Sequence, residues 1–280
     1  MILKDFLPNP ALREFIQCYR ICHFEFGESI NIPVKACAPK PEQILHFFLG
    51  ELWIQKIGGE KYGQSSIAFF GQRTSLVHQF TKGHFVNVHI VFQPTAVFRL
   101  TGIPANELTD QHYDATLIFH KDFQFTLEQL HQAKDYTEML YTIENFSFEL
   151  IRKSQKDKQP VDTVSQKMKQ NVGNISLDAL ANDACLCTKQ FERKFYERVG
   201  VNPKTYAKIV RFNKAYNLKN AYPNRDWLGI AMECDYYDYQ HLVKDYKDFT
   251  SLTPNEFHFL ESRSPERILG LTDELYTSRV

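Results

Sequence analysis

The feature that most restricts what this chain can fold into is a partial internal repeat towards its C-terminal end. At an offset of 51 residues Phe191 answers to Leu242, Arg193 to Lys244, Phe195 to Tyr246, Pro203 to Pro254 and Tyr206 to Phe257. Two apolar residues four apart share one helical face, and a proline heading the next apolar run marks a helix start. Each copy therefore reads as a helix-turn-helix with a further helix behind it, an arrangement that presents its second helix to a DNA major groove.

Local signals give each unit its limits. Ser176 suits the N-cap of a helix over 177–184 with Leu177, Leu180 and Ala181 inward, 185–187 form the turn, and 188–199 the second helix. Gly200 fits a left-handed C-cap, and Asn202 with Pro203 starts a helix running to about residue 220. At ~1.5 Å per residue that helix is a strut of ~27 Å, near the ~34 Å between successive major grooves on one DNA face. In the second unit Trp227, Leu228, Ile230 and Ala231 turn inward, 234–236 form the turn, 237–247 the reading helix, and Thr253 to Glu256 a capping box.

With the phenylalanines inward, Lys189, Gln190, Glu192, Arg193 and Tyr196 point outward behind Thr188 at the helix head; Tyr239, Gln240, His241, Val243 and Lys244 do so in the second unit. The candidate DNA-contacting set is Thr188, Lys189, Gln190, Arg193, Lys204, Tyr239, Gln240, His241 and Lys244. Arg193 can bind a guanine edge in bidentate fashion for ~1–3 kcal/mol of discrimination. It can equally clamp a phosphate or pair with Glu197. Gln190 and Gln240 match adenine, while Lys189, Lys204, Lys208 and Lys244 fit phosphate contacts that set register.

A formal charge of zero conceals a division: residues 158–225 hold 13 Lys and Arg against 5 Asp and Glu, and residues 226–263 hold 3 against 8. The first block has the sign expected of a phosphate-binding surface. Asp238, Asp245 and Asp248 would repel phosphates beside the second reading helix, so the first unit is expected to supply most of the affinity while the second modulates specificity or docks only in the bound dimer.

The front of the chain has another rhythm. Residues 44–49, 52–57, 66–70 and 83–92 read as short strands parted by glycines, and in the last of these Val86, Val88, Ile90 and Phe92 share one face while Phe85, Asn87, His89 and Val91 share the other. Many short strands imply a barrel or sandwich. From residue 126 the period lengthens to three or four, as in amphipathic helices. The charged stretch 152–160 reads as a linker and 264–280 as a frayed tail. The expected division is a front domain over 1–153 (β-rich to about 125, helical connector over 126–153), a linker over 154–161, a helical domain over 162–263 and a tail over 264–280.

With no run of 18 apolar residues and no basic segment followed by a long apolar stretch and a cleavage site at residues 1–6, the chain is expected to be neither exported nor membrane-bound, with no membrane partner and the cytoplasm as its expected location. Its six cysteines are scattered, Cys18 and Cys22 at helical spacing and Cys185 and Cys187 in a turn, without a zinc or disulfide pattern. His84 and His89 fall on opposite strand faces, so these and His78 read as hydrogen-bonded structural histidines, with no metal and no cofactor expected. No catalytic constellation is legible, and the chain is read as a non-enzyme.

Leu180 and Ala181, the run from Phe191 to Phe195, Gly200 to Pro203, Tyr206, Arg211 to Ala215, Ile230 and Ala231, Tyr236, Leu242, Tyr246 and Lys247, and Leu252 to Pro254 together resemble the DNA-binding domain of AraC/XylS-type transcription regulators. Phe6 to Leu12, Cys18 with Tyr19, Gln93 to Pro104, and Glu107 to Thr109 are similar to the N-terminal, cupin-like sensor domain of some such regulators. The resemblance implies an α+β chain: a β-rich cupin-like barrel with a helical connector, then an all-α domain with two helix-turn-helix units joined by a long helix. It also implies an activator that binds double-stranded DNA as a homodimer under a small-molecule effector, with RNA polymerase as a further partner. A cupin-type metal-binding or enzymatic domain fused to a DNA-binding module is the alternative. Asp235 and Ser251 stand where the family has glycine.

Overall fold

The computed structural model describes residues 1–27, 32–56, 59–81, 83–119, 123–170, 176–272 and 276. In the front part the strands are β1 (Ile2–Phe6), β2 (Ile16–Glu25), β3 (Lys35–Cys37), β4 (Gln43–Phe48), β5 (Leu52–Lys56), β6 (Lys61–Gly63), β7 (Ile67–Phe70), β8 (Val77–Thr81), β9 (His84–Phe92) and β10 (His112–Asp114). They form an antiparallel sheet of order β1-β2-β9-β4-β7-β10 and a second of order β3-β8-β5-β6. Cys22, Phe24, Phe48, Phe70 and Phe85 of the larger sheet meet Leu52, Ile54 and Val77 of the smaller. The expected strands are present; Ile57 and Gly58 lie outside the described residues.

The helices α1 (Ala96–Thr101), α2 (Ala115–Phe119), α3 (Gln124–Gln132) and α4 (Tyr136–Ile151) cover the opposite face of the larger sheet. Val86, Val88, Ile90 and Phe92 pack there with Ile143, Phe146 and Leu150, so both faces of β9 are used. Cys18 and Cys22 lie on β2, not on a helix: a spacing of four returns to the same face in both structures, and strand pairing with β1 and β9 decided between them.

The helical part consists of α5 (Pro160–Gln170), α6 (Leu177–Asp183), α7 (Thr188–Val199), α8 (Pro203–Ala221), α9 (Trp227–Glu233), α10 (Tyr239–Thr250), α11 (Pro254–Glu261) and α12 (Pro265–Ile268). Pro160 stands at the head of α5, where its missing N–H costs no helical bond. The strut α8 belongs to two cores: Tyr206 and Val210 join Phe191 and Phe195, while Ile209, Phe212 and Tyr216 join Leu242, Tyr246 and Phe257. Ala36, Ala38 and Leu76 of the front domain complete the second of these cores.

The tail is not frayed where it is described. Glu266 of α12 and Tyr276 are buried, because they fill the space between α8, α11 and the front domain. Residues 273–275 and 277–280 lie outside the described residues.

Candidate nucleic-acid interface and front-domain pocket

In the first unit the Ser176 hydroxyl accepts the Ala179 N–H at 3.1 Å, and Leu186 N–H closes the turn onto Ala181 O at 3.0 Å. Phe191 and Phe195 are fully buried with ring centroids 5.6 Å apart, which turns Lys189, Gln190, Arg193 and Tyr196 to the surface. Among the described residues Arg193 forms no ion pair with Glu197. Thr188 is half-buried and its hydroxyl donates to Asp178 at 2.7 Å, so it ties the two helices together. Lys204 is exposed on the first turn of α8.

The second unit repeats this with one insertion. Tyr236 N–H closes its turn onto Ala231 O at 3.0 Å, and Asp235 adopts a left-handed φ of 59° just as Cys185 does at 54°. Ala231 and Asp235 follow Ala181 and Cys185 by one residue less than the reading helices follow each other, so the second turn is one residue longer. The reading helix therefore begins at Tyr239 rather than 237; Tyr237 is exposed in the turn and Asp238 is the N-cap, accepting His241 N–H at 2.8 Å. Gln240, His241 and Lys244 are exposed. Tyr239, expected to point outward, is half-buried against the second core because the first helical position leans towards α8 and α9. Ser251 also takes the left-handed φ expected of it, 61°, at a cost of roughly 1–2 kcal/mol that backbone capping at the end of α10 offsets.

The acids of the second unit prove to be structural. Asp245 is buried and accepts from Arg211 at 2.8 Å with Lys208 at 3.3 Å, and Asp248 pairs with Lys208 at 2.8 Å. They bind α10 to α8 and occupy Lys208, which the sequence pattern offers to phosphate. Arg198 is likewise consumed inside by Asp162. Among the described residues, the exposed cations on the two reading helices and the head of α8 are Lys189, Arg193, Lys204, Lys244 and, in the last turn of α10, Lys247.

Both units dock on the front domain. The carbonyl of Gly200 accepts from Thr109 Oγ1 at 2.7 Å, and Val199 O from Gln43 Nε2 at 3.3 Å. Gly200 has φ 101°, and a Cβ there would lie 2.6 Å from Thr109 Oγ1, so glycine serves both the cap and the domain contact. At the other end Lys35 of β3 pairs with Glu261 of α11 and Glu266 of α12, and Tyr216 donates to Glu261. Burial opposes the Lys35 charge, but the two carboxylates outweigh it and hold its pKa well above the ordinary lysine value.

A cavity of about 130 Å³ lies between the sheets, lined by Arg20, His46, Phe70, Asn87 and His89 and closed on one side by Pro265, Glu266 and Tyr276 of the helical part. Its volume is near the ~150 Å³ that accommodates benzene in an engineered protein cavity. Arg20 is held by Asp5 at 2.7 Å and Glu42 at 3.1 Å. By contrast His46 Nε2, Asn87 Oδ1 and both ring nitrogens of His89 are buried without a hydrogen-bond partner among the described residues. His89 is thus not the hydrogen-bonded structural histidine expected, because the pocket leaves its ring facing His46 at 4.3 Å. Unmet polar capacity in a buried wall is what a ligand would satisfy. Sequence reasoning passed over this set, although two polar residues, Asn87 and His89, at alternate positions of an apolar strand were a signal of it.

Burial, then the Arg20 charge, pushes the His89 pKa down to about 3, and burial with His89 beside it holds His46 well below its usual value. Below pH 6.5 an unfolded histidine takes a proton that native His89 refuses until about pH 3. Its contribution is therefore complete above pH 6.5 and declines as pH falls towards 3, by up to ~1.4 kcal/mol per unit. Urea denaturation between pH 7 and pH 5 should show this slope, and His89→Gln should flatten it; an equal slope in both chains would contradict the assignment.

A helix-turn-helix domain family matches residues 180–258, and a family described as a domain of unknown function matches residues 4–114. No curated protein matches the chain. ToxT from Vibrio cholerae has a similar fold, at 10% identity over 86% of this chain and 98% of that one, with a TM-score of 0.50. ToxT from Vibrio cholerae O395 bound to (E)-4-(8-methylnaphthalen-1-yl)but-3-enoic acid matches at 10% identity over 87% and 99%, also with a TM-score of 0.50. The AraC-like transcriptional activator CuxR aligns at 11% identity over 76% and 80%, with a TM-score of 0.30. The two units on α8 and the matched family identify residues 180–258 as an AraC-type helix-turn-helix domain, which lies behind an N-terminal β-rich domain.

Proposed function

We propose that this chain is a sequence-specific DNA-binding transcription regulator that acts by binding rather than catalysis, as a cytoplasmic homodimer with polymerase as a further partner. The front domain covers 1–153, the linker 154–161 and the DNA-binding domain 162–263. The observation that carries this reading is the pair of reading helices on one strut, with Lys189, Gln190 and Arg193 exposed on α7 and Gln240, His241 and Lys244 on α10. Thr188 and Tyr239 then act at the margins, as partly covered helix-head residues, and Lys204 as a phosphate contact. The burial of Asp245 among cations supports both units touching DNA, in place of an affinity carried mainly by the first.

ToxT holds a small organic acid in a similar fold, and the pocket here, with its unpartnered imidazoles and a wall contributed by Glu266 and Tyr276, supports control by a compact polar effector. A ligand there touches both domains, so differential contact with the docked and undocked arrangements would bias DNA affinity.

The test is binding to duplexes from upstream of the chain's own and neighbouring genes, against scrambled competitor and across a salt series. Competitor-resistant binding that weakens steeply with salt is expected. Arg193→Ala should lose ~1–3 kcal/mol, or roughly 5- to 150-fold, with relaxed preference at one base position. Equal weak binding to every duplex, with or without the Arg193 side chain, would overturn the reading.

A further inference from the structure

On the helix-covered face of the larger sheet, Tyr19 and Ile21 of β2 and Val86, Val88 and Ile90 of β9 form an apolar stripe under α4. Continued along the same face, the alternation brings up His23 and Glu25 on β2 and His84 on β9. Glu25 and His84 are directly opposed in the antiparallel register, and His23 opposes Val86. The stripe thus changes from apolar to ligating residues where the cover of α4 ends, at Tyr136.

The three side chains converge. Their ligand atoms all lie within 4.8 Å of one another, with His23 Nε2 at 3.0 Å and His84 Nδ1 at 3.7 Å from the same Glu25 oxygen. Donors held at ~2.0–2.1 Å around a tetrahedral zinc ion stand ~3.3 Å apart, so the observed spacing needs only small rotations to close on an ion. His23 has the support expected of a ligand: its Nδ1 is 2.7 Å from Tyr136 Oη, and a metal-bound imidazole donates its other N–H to such an oxygen. Glu25 and His84 are more than half exposed, which leaves a fourth position open to water.

We propose that His23, Glu25 and His84 form a three-ligand surface site for a divalent transition metal of the zinc class. Two imidazoles and one carboxylate favour Zn²⁺ and its neighbours over Mg²⁺ or Ca²⁺, which take oxygen ligands. The site lies on the opposite face of the sheet from the pocket at His46 and His89, and is distinct from it. A bound ion joins the end of the β2–β9 ladder to the first turn of α4 through Tyr136.

The experiment uses the untagged full chain carrying C185S and C187S, since those two exposed thiols would take up the same ions. Zn²⁺ is titrated by calorimetry and Co²⁺ by its visible d–d absorption. One ion per chain is expected, with a thiolate-free Co²⁺ spectrum. His84→Ala and Glu25→Gln, both at exposed positions, should each weaken binding by more than the ~10- to 100-fold that loss of a supporting residue costs, while Tyr136→Phe should fall within that range and alter the Co²⁺ spectrum. Binding of unchanged affinity in His84→Ala and Glu25→Gln, or no Co²⁺ spectrum in the parent chain, would overturn the proposal.

Discussion

Replacing Arg198 with alanine is expected to destabilise the chain by about 3–5 kcal/mol, the cost of leaving one member of a buried ion pair without its partner. Arg198 Nη1 lies 2.8 Å from both oxygens of Asp162, and the two side chains are 4% and 1% exposed. Asp162 also accepts Gln159 N–H at 2.8 Å at the head of α5, and the guanidinium lies over the Phe98 ring at 4.7 Å. One side chain therefore joins α5, α7 and the front domain. With Arg198 gone, a carboxylate remains in a site that water does not reach. The double variant Arg198→Met/Asp162→Leu, which removes both charges and keeps volume, should recover most of the loss. Urea denaturation of the three chains tests this; a single variant within 1 kcal/mol of the parent would refute it.

Lys35→Met should have an effect of similar size, about 3–5 kcal/mol, by stranding Glu261 and Glu266 at the contact between β3 and the last helices. Burial already raises the Glu261 pKa in the intact cluster. Without the ammonium both carboxylates can shed the penalty by taking protons, so the deficit should be largest near neutral pH and shrink as pH falls. Because Glu266 also walls the pocket and Tyr216 joins Glu261 to α8, the same change should loosen the second unit from the front domain. Faster proteolysis between the domains and a DNA affinity that differs from the parent's are expected. Parent-like stability at pH 7 with an unaltered digestion pattern would show that the cluster does not hold the domains together.

The helical half was open to sequence reasoning because its signals are local. Ser176, Asn202 and Thr253 cap the helices they precede, and Phe191 with Phe195 orients α7 through contacts made within one helical turn. Strand β9 was legible from alternation and β4, β5 and β7 as short apolar runs between glycines, whereas β2 was not, since Cys18 and Cys22 fit either period. The one-residue insertion before Tyr239 escaped notice because the repeat was aligned on the second helix of each unit, and only the turn geometry shows where the extra residue sits.

What the sequence by itself determined is the kind of element at most positions, the two helix-turn-helix units and the outward faces bearing Arg193 and Lys244. These depend on spacing and capping within a few residues. Only the tertiary structure decided that Asp245 pairs with the cations of α8, that His89 lines a cavity between the sheets, that Glu266 and Tyr276 close one side of it, and that His23 and His84 meet at Glu25. Each of those outcomes depends on the register and packing of segments far apart in the chain, and a buried charge or imidazole takes its role from the partner that such packing brings within about 3 Å, or fails to bring.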